Sequence, residues 1–286
     1  MKLIKPSYEI WQQPSGLEGI YKQIERVGRV CYKSEDKITE DSAKPFVDRM
    51  IKSGHGAMLE HGTVYLKAND EYYGNPIDKY RDNKYSQLKS INGTKYVTAN
   101  LRILVENNWL DDLKYLCEPT EYHEKRICVK FICDRGILAE FTRHRTFSFS
   151  AESTRYCNYS KDKFNNELTF IQPIWTYHQE DGDYGTLGTP KRKNEGDKDG
   201  TFYEFIKSLQ YAEFYYFRLL QEGWKPQEAR AVLPNSLKTE LVMTGFISDF
   251  KHFFDLRAIG TTGQPHPQAK ELALPLLNEF ITNKYL

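Results

Sequence analysis

Between residues 143 and 156 the chain reads Arg143-His144-Arg145-Thr146-Phe147-Ser148-Phe149-Ser150-Ala151-Glu152-Ser153-Thr154-Arg155-Tyr156, which places three arginines, a histidine, three serines and a glutamate within fourteen residues. Few structural elements need such a set. The segment before it carries apolar residues at 137, 138 and 141, a helical spacing, with Asp134 positioned as its N-cap. Arg143, His144 and Arg145 then close that helix. One reading is a basic C-cap favoured by the helix dipole, followed by a polar loop. The other is an anion site: hydroxyls from Ser148, Ser150, Ser153 and Thr154, with forked donors from Arg143, Arg145 and Arg155, suit a phosphate or an anionic heterocycle.

The triplet, the seven residues after it, then Ser153 and Arg155-Tyr156, resemble the signature of the flavin-dependent thymidylate synthases. Ser53-Gly54-His55-Gly56-Ala57-Met58-Leu59-Glu60-His61 upstream, and Glu228-Ala229-Arg230, Asp255-Leu256-Arg257 and His266-Pro267-Gln268 downstream, follow the family's order. The resemblance covers about 20–66, 127–160 and 203–280, and makes 68–126 and 179–200 insertions on one domain spanning 1–286. It implies an α+β fold with a central sheet flanked by helices, assembled as a homotetramer whose active sites are shared between subunits. The chain contains no GxGxxG fingerprint, so a flavin is not expected in a Rossmann domain.

A length of 286 residues suffices for one large domain or two small ones. Forty basic against 39 acidic residues give a net charge of +1, so no global field favours nucleic acid or a membrane surface, and any anion site must be local. The five cysteines lack a paired metal spacing and read as reduced thiols. With no signal-like start and no apolar run of membrane-spanning length, the expectation is a soluble cytoplasmic protein.

In chain order, residues 3–11 predict an edge strand, 19–32 a helix, and 39–51 a second helix stopped by Ser53-Gly54. Thr63–Lys67 reads as a strand, 68–95 as an exposed excursion and 101–116 as a helix. Strands follow at 126–133 and 168–174. Residues 179–200, rich in Gly and charge, predict a mobile loop that is either idle surface or a lid. Thr201–Glu222 is a helix, and Pro226 opens another that carries Arg230 to Leu233-Pro234. A strand over 239–246, a helix capped by Ser248-Asp249 bearing His252 and Arg257, and a final helix over 268–285 kinked at Pro275 complete the chain.

His55, Glu60 and His61 also invite a zinc reading, but their spacing is not HExxH and no further ligand set is nearby, so no metal is expected. The resemblance gives this turn to the flavin instead.

It implies conversion of dUMP to dTMP with 5,10-methylenetetrahydrofolate as one-carbon donor, FAD as the hydride-transferring cofactor and NADPH as reductant. The nucleotide would be held by Glu140, Arg143, Ala151, Glu152, Ser153, Thr154, Arg155, Arg230 and Arg257. Arg257 would be the catalytic residue, stabilising charge that develops on the pyrimidine edge. Glu140 would accept from the sugar or orient an arginine. The flavin would meet His55, Ala57, Glu60, Arg143, His144, Arg145, Thr146, Ser150, Ala151, His252 and His266. Ala151 stands where the family commonly has Glu or Gln, and Phe246, Ser248 and His252 replace a pattern richer in Asn and Arg.

Two other readings keep parts of the same loop. One is a flavin-dependent methylase of a modified pyrimidine nucleotide. The other is a noncatalytic nucleotide or RNA-binding module stacking bases on Phe147, Phe149 and Tyr156, against which the near-zero net charge weighs. Ser153 is not read as a nucleophile, because no positioned base accompanies it.

Overall fold

The computed structural model describes residues 1–69, 76–176, 181–187 and 200–286. Ten strands occur among them: β1 (Lys2–Ile4), β2 (Ser7–Trp11), β3 (Thr63–Asn69), β4 (Gln87–Ile91), β5 (Thr94–Asn100), β6 (Arg126–Asp134), β7 (Ser148–Ala151), β8 (Thr169–Ile171), β9 (Gly182–Asp183) and β10 (Lys238–Phe246). The α-helices are α1 (Gly16–Tyr32), α2 (Ala43–Lys52), α3 (Gly56–Leu59), α4 (Leu101–Glu106), α5 (Arg135–Phe141), α6 (Thr201–Gln221), α7 (Pro226–Ala229), α8 (Ile247–Phe254) and α9 (Pro267–Thr282). No described helix is long and apolar enough to cross a membrane.

The mixed α+β class holds, but the single central sheet becomes three sheets, ordered β2-β6-β10-β7, β8-β1-β9 and β3-β5-β4. The first organises the site. Its strands pair antiparallel throughout, with β10 between β6 and β7. Side chains alternate across a strand. Leu241 and Met243 therefore join Val129, Phe131, Phe141, Phe250, Phe253 and Leu276 in a core under α5, α8 and α9. Val242 and Cys128 face the other way, onto Trp11, Val27 and Val30. Both faces of β10 are covered, so every residue from Thr239 to Phe246 is buried, with Leu241, Val242 and Met243 as its apolar centre.

Several expectations need correction. Residues 3–11 form two strands separated by Lys5-Pro6, and only β2 is an edge. Proline supplies no N–H to a ladder, so the pairing changes sheets there. Of the excursion expected over 68–95, the stretch 76–95 is half exposed but anchored to the fold. Ile77 and Tyr80 are fully buried with Val64, Leu66 and Val97, and Asn92-Gly93, both at positive φ, turn β4 into β5 as a two-residue hairpin.

The helix expected over 101–116 stops at Glu106, because Asn108 adopts φ 58°, and resumes as a 3-10 turn over Leu110–Tyr115. The strand expected over 168–174 is only Thr169–Ile171. Within the loop predicted over 179–200, β9 pairs with β1 and Tyr184 is buried. Residues 179–180 and 188–199 of that loop and lid reading lie outside the described residues. Pro275 sits inside α9 without ending it.

Candidate active site

The basic triplet sits where its helical spacing places it. Asp134 caps α5 by accepting from the Ile137 amide at 2.7 Å, and Thr142 closes the helix by donating its hydroxyl to Leu138 O at 3.0 Å. A turn follows, in which the His144 amide donates to Phe141 O and the Phe147 amide to His144 O. That turn buries His144 and leaves Arg143 and Arg145 exposed. The imidazole packs on the Phe253 ring, 5.1 Å between centroids, with Phe147 and His252 slightly farther away.

Arg257 reaches His144 from the other side of the core. Here α8 ends at Phe254 and the backbone widens into a π turn over Asp255–Ile259, closed by the Gly260 amide donating to Asp255 O at 2.9 Å. Arg257 Nε donates to His144 Nε2 at 3.0 Å, Nη1 to Glu140 Oε2 at 2.7 Å and Nη2 to Glu140 O at 3.0 Å. Of the two uses expected for Glu140, the geometry gives the second, orienting an arginine. Because Nε2 accepts, the proton of neutral His144 is on Nδ1. Burial first, then the charge of Arg257, pushes the His144 pKa down to about 4, so the ring is neutral at physiological pH.

Arg145 and Thr146 open onto a cleft of about 820 Å³ that also takes in Glu60, Phe147, Phe246, Ser248 and Asp249. Arg102 and Arg126 complete it. Arg126 donates to Glu60 O, Thr63 Oγ1 and Ser148 Oγ, and Arg102 pairs with the Glu60 carboxylate at 2.5 Å. Asp249 caps α8 from within its first turn by accepting from the Phe246 amide at 3.1 Å, while Ser248 is already helical.

The serine-rich strand divides. Ser150 points inward, with Val27 O as its acceptor at 3.4 Å and Met58 beside it, and half-buried Ala151 packs against the sheet core. Glu152 is also turned in. It accepts from Tyr159 at 2.8 Å and Lys238 at 2.9 Å, and Lys238 in turn bonds Glu240 at 2.6 Å. Glu240 further meets Lys33 at 2.9 Å and Lys130 at 2.6 Å. Burial alone would raise the Glu240 pKa, but Lys238 and Lys33 outweigh it and hold the carboxyl far below its ordinary range. Ser150, expected at a flavin, and Glu152, expected at a nucleotide, thus have protein partners in this chain. β7 turns both side chains toward α1 and β10, and their polar atoms are already taken.

Beyond Glu152 the loop faces outward. The Ser153 amide is tied to Cys31 O at 3.0 Å, and Ser153 Oγ accepts from the Arg155 amide at 3.3 Å. Arg230, just after α7, donates to Thr154 Oγ1 at 3.2 Å, and Arg155 Nε donates to Gln227 Oε1 at 3.3 Å. Thr154, Arg155 and Arg230 are thus brought together.

The remaining predicted residues are scattered. His55 and Ala57 are exposed on and before α3, His252 is exposed on α8, and His266 caps α9 by accepting from the Gln268 amide at 3.3 Å. His61 is fully buried, with Nδ1 2.8 Å from Thr244 Oγ1, and burial pushes its pKa down to about 3. Sequence reasoning missed Arg102, Arg126, Gln227 and the lysine lattice. One signal was present: Lys238 and Glu240 put two charges on one face of an otherwise apolar strand, which requires buried partners. All five cysteines are free.

Comparison with known proteins adds the following. A family model described as thymidylate synthase complementing protein matches residues 120–282, more than half of the chain. The flavin-dependent thymidylate synthase of Haloarcula marismortui is 30% identical over 148 residues, 49% of this chain and 57% of that protein. That of Pyrococcus furiosus is 28% identical over 126 residues, 44% and 43% of the two chains, so the match spans about half the length of these relatives. A relative from Corynebacterium aurimucosum, also a flavin-dependent thymidylate synthase, is 23% identical over 270 residues, 93% of this chain and 78% of its own. A solved structure, the UMP/dUMP methylase PolB from Streptomyces cacaoi bound with 5-Br UMP, superposes with a TM-score of 0.47 at 16% identity over 99% of this chain and 92% of that one, too loosely to carry weight. The extent of the family match and its order along the chain establish that this protein belongs to the thymidylate synthase complementing protein family.

Proposed function

We propose that the chain is a flavin-dependent thymidylate synthase that converts dUMP to dTMP with 5,10-methylenetetrahydrofolate, FAD and NADPH. The observation that carries this reading is the state of Arg257. A guanidinium has five N–H donors. Three are engaged by Glu140 and His144, which fix the guanidinium plane and leave one N–H on each terminal nitrogen for a ligand. A permanently charged donor held in place this way suits a uracil edge, N3 and O2, as it gains negative charge. Glu140 keeps the guanidinium in orientation, and neutral His144 adds a hydrogen bond without adding a competing cation.

Arg155, Arg230 and Thr154 would take the nucleotide phosphate, with Ser153 holding the turn through the Arg155 amide. Arg143, the exposed first residue of the triplet, would contribute a further cation. Methylation at C5 requires that the ring be bound with this edge on Arg257 and water kept away, which the Phe147 and Phe253 rings beside His144 favour.

The cleft at Arg145 fits a flavin dinucleotide in chemistry. Exposed Arg145, with Arg126 behind it, offers positive charge for a pyrophosphate, Arg102 being already paired with Glu60 and Glu106; Phe147 and Phe246 offer apolar faces, and about 820 Å³ lies in the range of cofactor sites. FAD bound there would supply the hydride that completes the methyl group. The flavin would then be held outside a Rossmann fold, a reading supported by the antiparallel order of the sheet.

Self-association into a homotetramer belongs to the same proposal. It is supported by the exposed aromatic row Tyr203, Tyr211, Phe214 and Tyr215 on α6, and by the dispersal of the expected residues over separate faces of one chain. The reading of 68–126 and 179–200 as insertions on one domain over 1–286 belongs to the same proposal. A cytoplasmic setting is supported by the five free thiols. The test is an anaerobic absorption spectrum. A flavin band that bleaches with NADPH and returns only when dUMP and methylenetetrahydrofolate are both present is the expected result, and failure to take up flavin would sink the proposal.

A further inference from the structure

Like charges gathered on one surface repel, and the cost is relieved when an anion binds among them. Such a gathering occurs where the end of α1 meets α2. Arg29, Lys37, Arg49 and Lys163 line an open dish of about 490 Å³ whose lining includes one carboxylate, Asp36. Arg29 is answered by Glu25 at 2.7 Å. Lys163 donates to a backbone carbonyl, Lys33 O, at 2.6 Å. Among the described residues, Lys37, Arg49 and Lys163 have no carboxylate within ion-pair distance.

The dish is also pre-shaped for a flat group. The guanidiniums of Arg29 and Arg49 lie 4.9 and 5.2 Å from the centroid of the buried Phe46 ring. That ring restrains both cations before any ligand arrives, which lowers the entropy lost on binding. Tyr32 lines the same dish, and its ring meets Tyr156 at 5.4 Å. Tyr156 directly follows the Ser153-Thr154-Arg155 turn. The dish therefore adjoins the nucleotide loop while containing none of the residues assigned to the nucleotide.

We infer that this dish binds the polyanionic arm of a second substrate, an aromatic or heteroaromatic group carrying several carboxylates or phosphates, beside the nucleotide loop. Three unanswered cations select a polyanion over a neutral ring, and the half-buried Tyr32 ring selects one with a flat body. The identity of the arm rests on the thymidylate synthase reading. There, two reactants share this chemistry: the benzoyl-glutamyl arm of the folate and the phosphate-bearing end of the reduced nicotinamide dinucleotide.

The test is calorimetric titration of the full chain and of its Lys37→Glu/Arg49→Glu variant, both positions being exposed. The probes are p-aminobenzoyl-triglutamate, NADPH and dUMP. Affinity for one of the first two probes is expected to fall about tenfold in the variant. In the parent protein the same affinity should weaken with added salt. Loss with p-aminobenzoyl-triglutamate assigns the folate arm, and loss with NADPH assigns the nicotinamide dinucleotide. The Lys37→Gln/Arg49→Gln variant should lose less than the charge-reversed one, which separates charge from misfolding. Unchanged affinity for both, no binding of either by the parent chain, or an equal loss for dUMP overturns the inference. Failure of dUMP to bind any of the proteins, with the dish still taking a polyanion, would count against the synthase reading alone.

Discussion

Arg257 donates its Nε–H to the Nε2 of His144 at 3.0 Å, and that contact joins a side chain in a π turn to the histidine of the basic triplet 113 residues away. It explains why His144 stays neutral beside two arginines. The same guanidinium is anchored twice by Glu140, so its plane is set before any substrate arrives.

Replacing Arg257 by Ala should therefore lower single-turnover methylation of dUMP by about 10²–10³-fold, the usual effect of removing a donor aimed at developing charge. Arg257→Lys should rescue little, because one ammonium cannot serve Glu140, His144 and a substrate edge together. Rapid-quench measurement of dTMP checks this, and a lysine variant with near-normal turnover would contradict the assignment.

Stability should fall on mild acidification. Burial pushes His61 to about 3 and His144 to about 4, whereas both titrate near 6.5 when unfolded. Above 6.5 neither state binds the proton. Below it the unfolded chain takes up protons that the folded one refuses, so stability drops as pH falls from about 6.5 toward 4. Glu240, held below its ordinary 4.5, adds its own loss only below that pH. Thermal melts between pH 7 and 5 should show the decline, and His61→Gln should flatten it.

Glu240 is the centre of a buried lattice of three lysines. Glu240→Gln should destabilise the fold by about 3–5 kcal/mol, since it leaves uncompensated buried charge. The triple replacement of Glu240, Lys238 and Glu152 by apolar residues of similar volume should cost less than the single change. Urea unfolding of the two variants decides the ordering.

Gly245 has no room for a side chain. A Cβ there would stand 2.4 Å from the Phe147 ring, which shares the core with His144. Gly245→Ala should cost about 1–3 kcal/mol and displace that ring. A drop in thermal midpoint with a changed histidine ring signal in NMR would confirm it, and an unshifted melt would refute it.

The helices α1, α6 and α9 were legible because each keeps a helical period over several turns, α5 because of its cap and apolar spacing, and β6 and β10 because of their short apolar stretches. The α5 cap followed from the sequence, whereas the pairing of Glu140 with Arg257 in particular is given only by the structure. What could not be read was decided by tertiary partners. Asn92-Gly93 looked like surface but is a hairpin turn, because only the strand opposite gives β4 a role. Ser150 and Glu152 looked like ligand contacts from their places in the family's motif, yet their facing follows from the register of β7 on β10, which no local pattern encodes. Arg102 and Arg126 reach their cleft from elements distant in sequence, and neither spacing nor composition marks them.

The widened turn over Asp255–Ile259 sets a constraint on chain length. Removing a single residue from it would let α8 continue with regular 3.6-residue winding and would swing everything beyond the cut by about 100° around the helix axis. Arg257 would then leave Glu140 and His144 while the hydrophobic packing of α8 stayed in place. Length variation should accordingly be far less tolerated across these five residues than in the neighbouring, more exposed 260–266 loop.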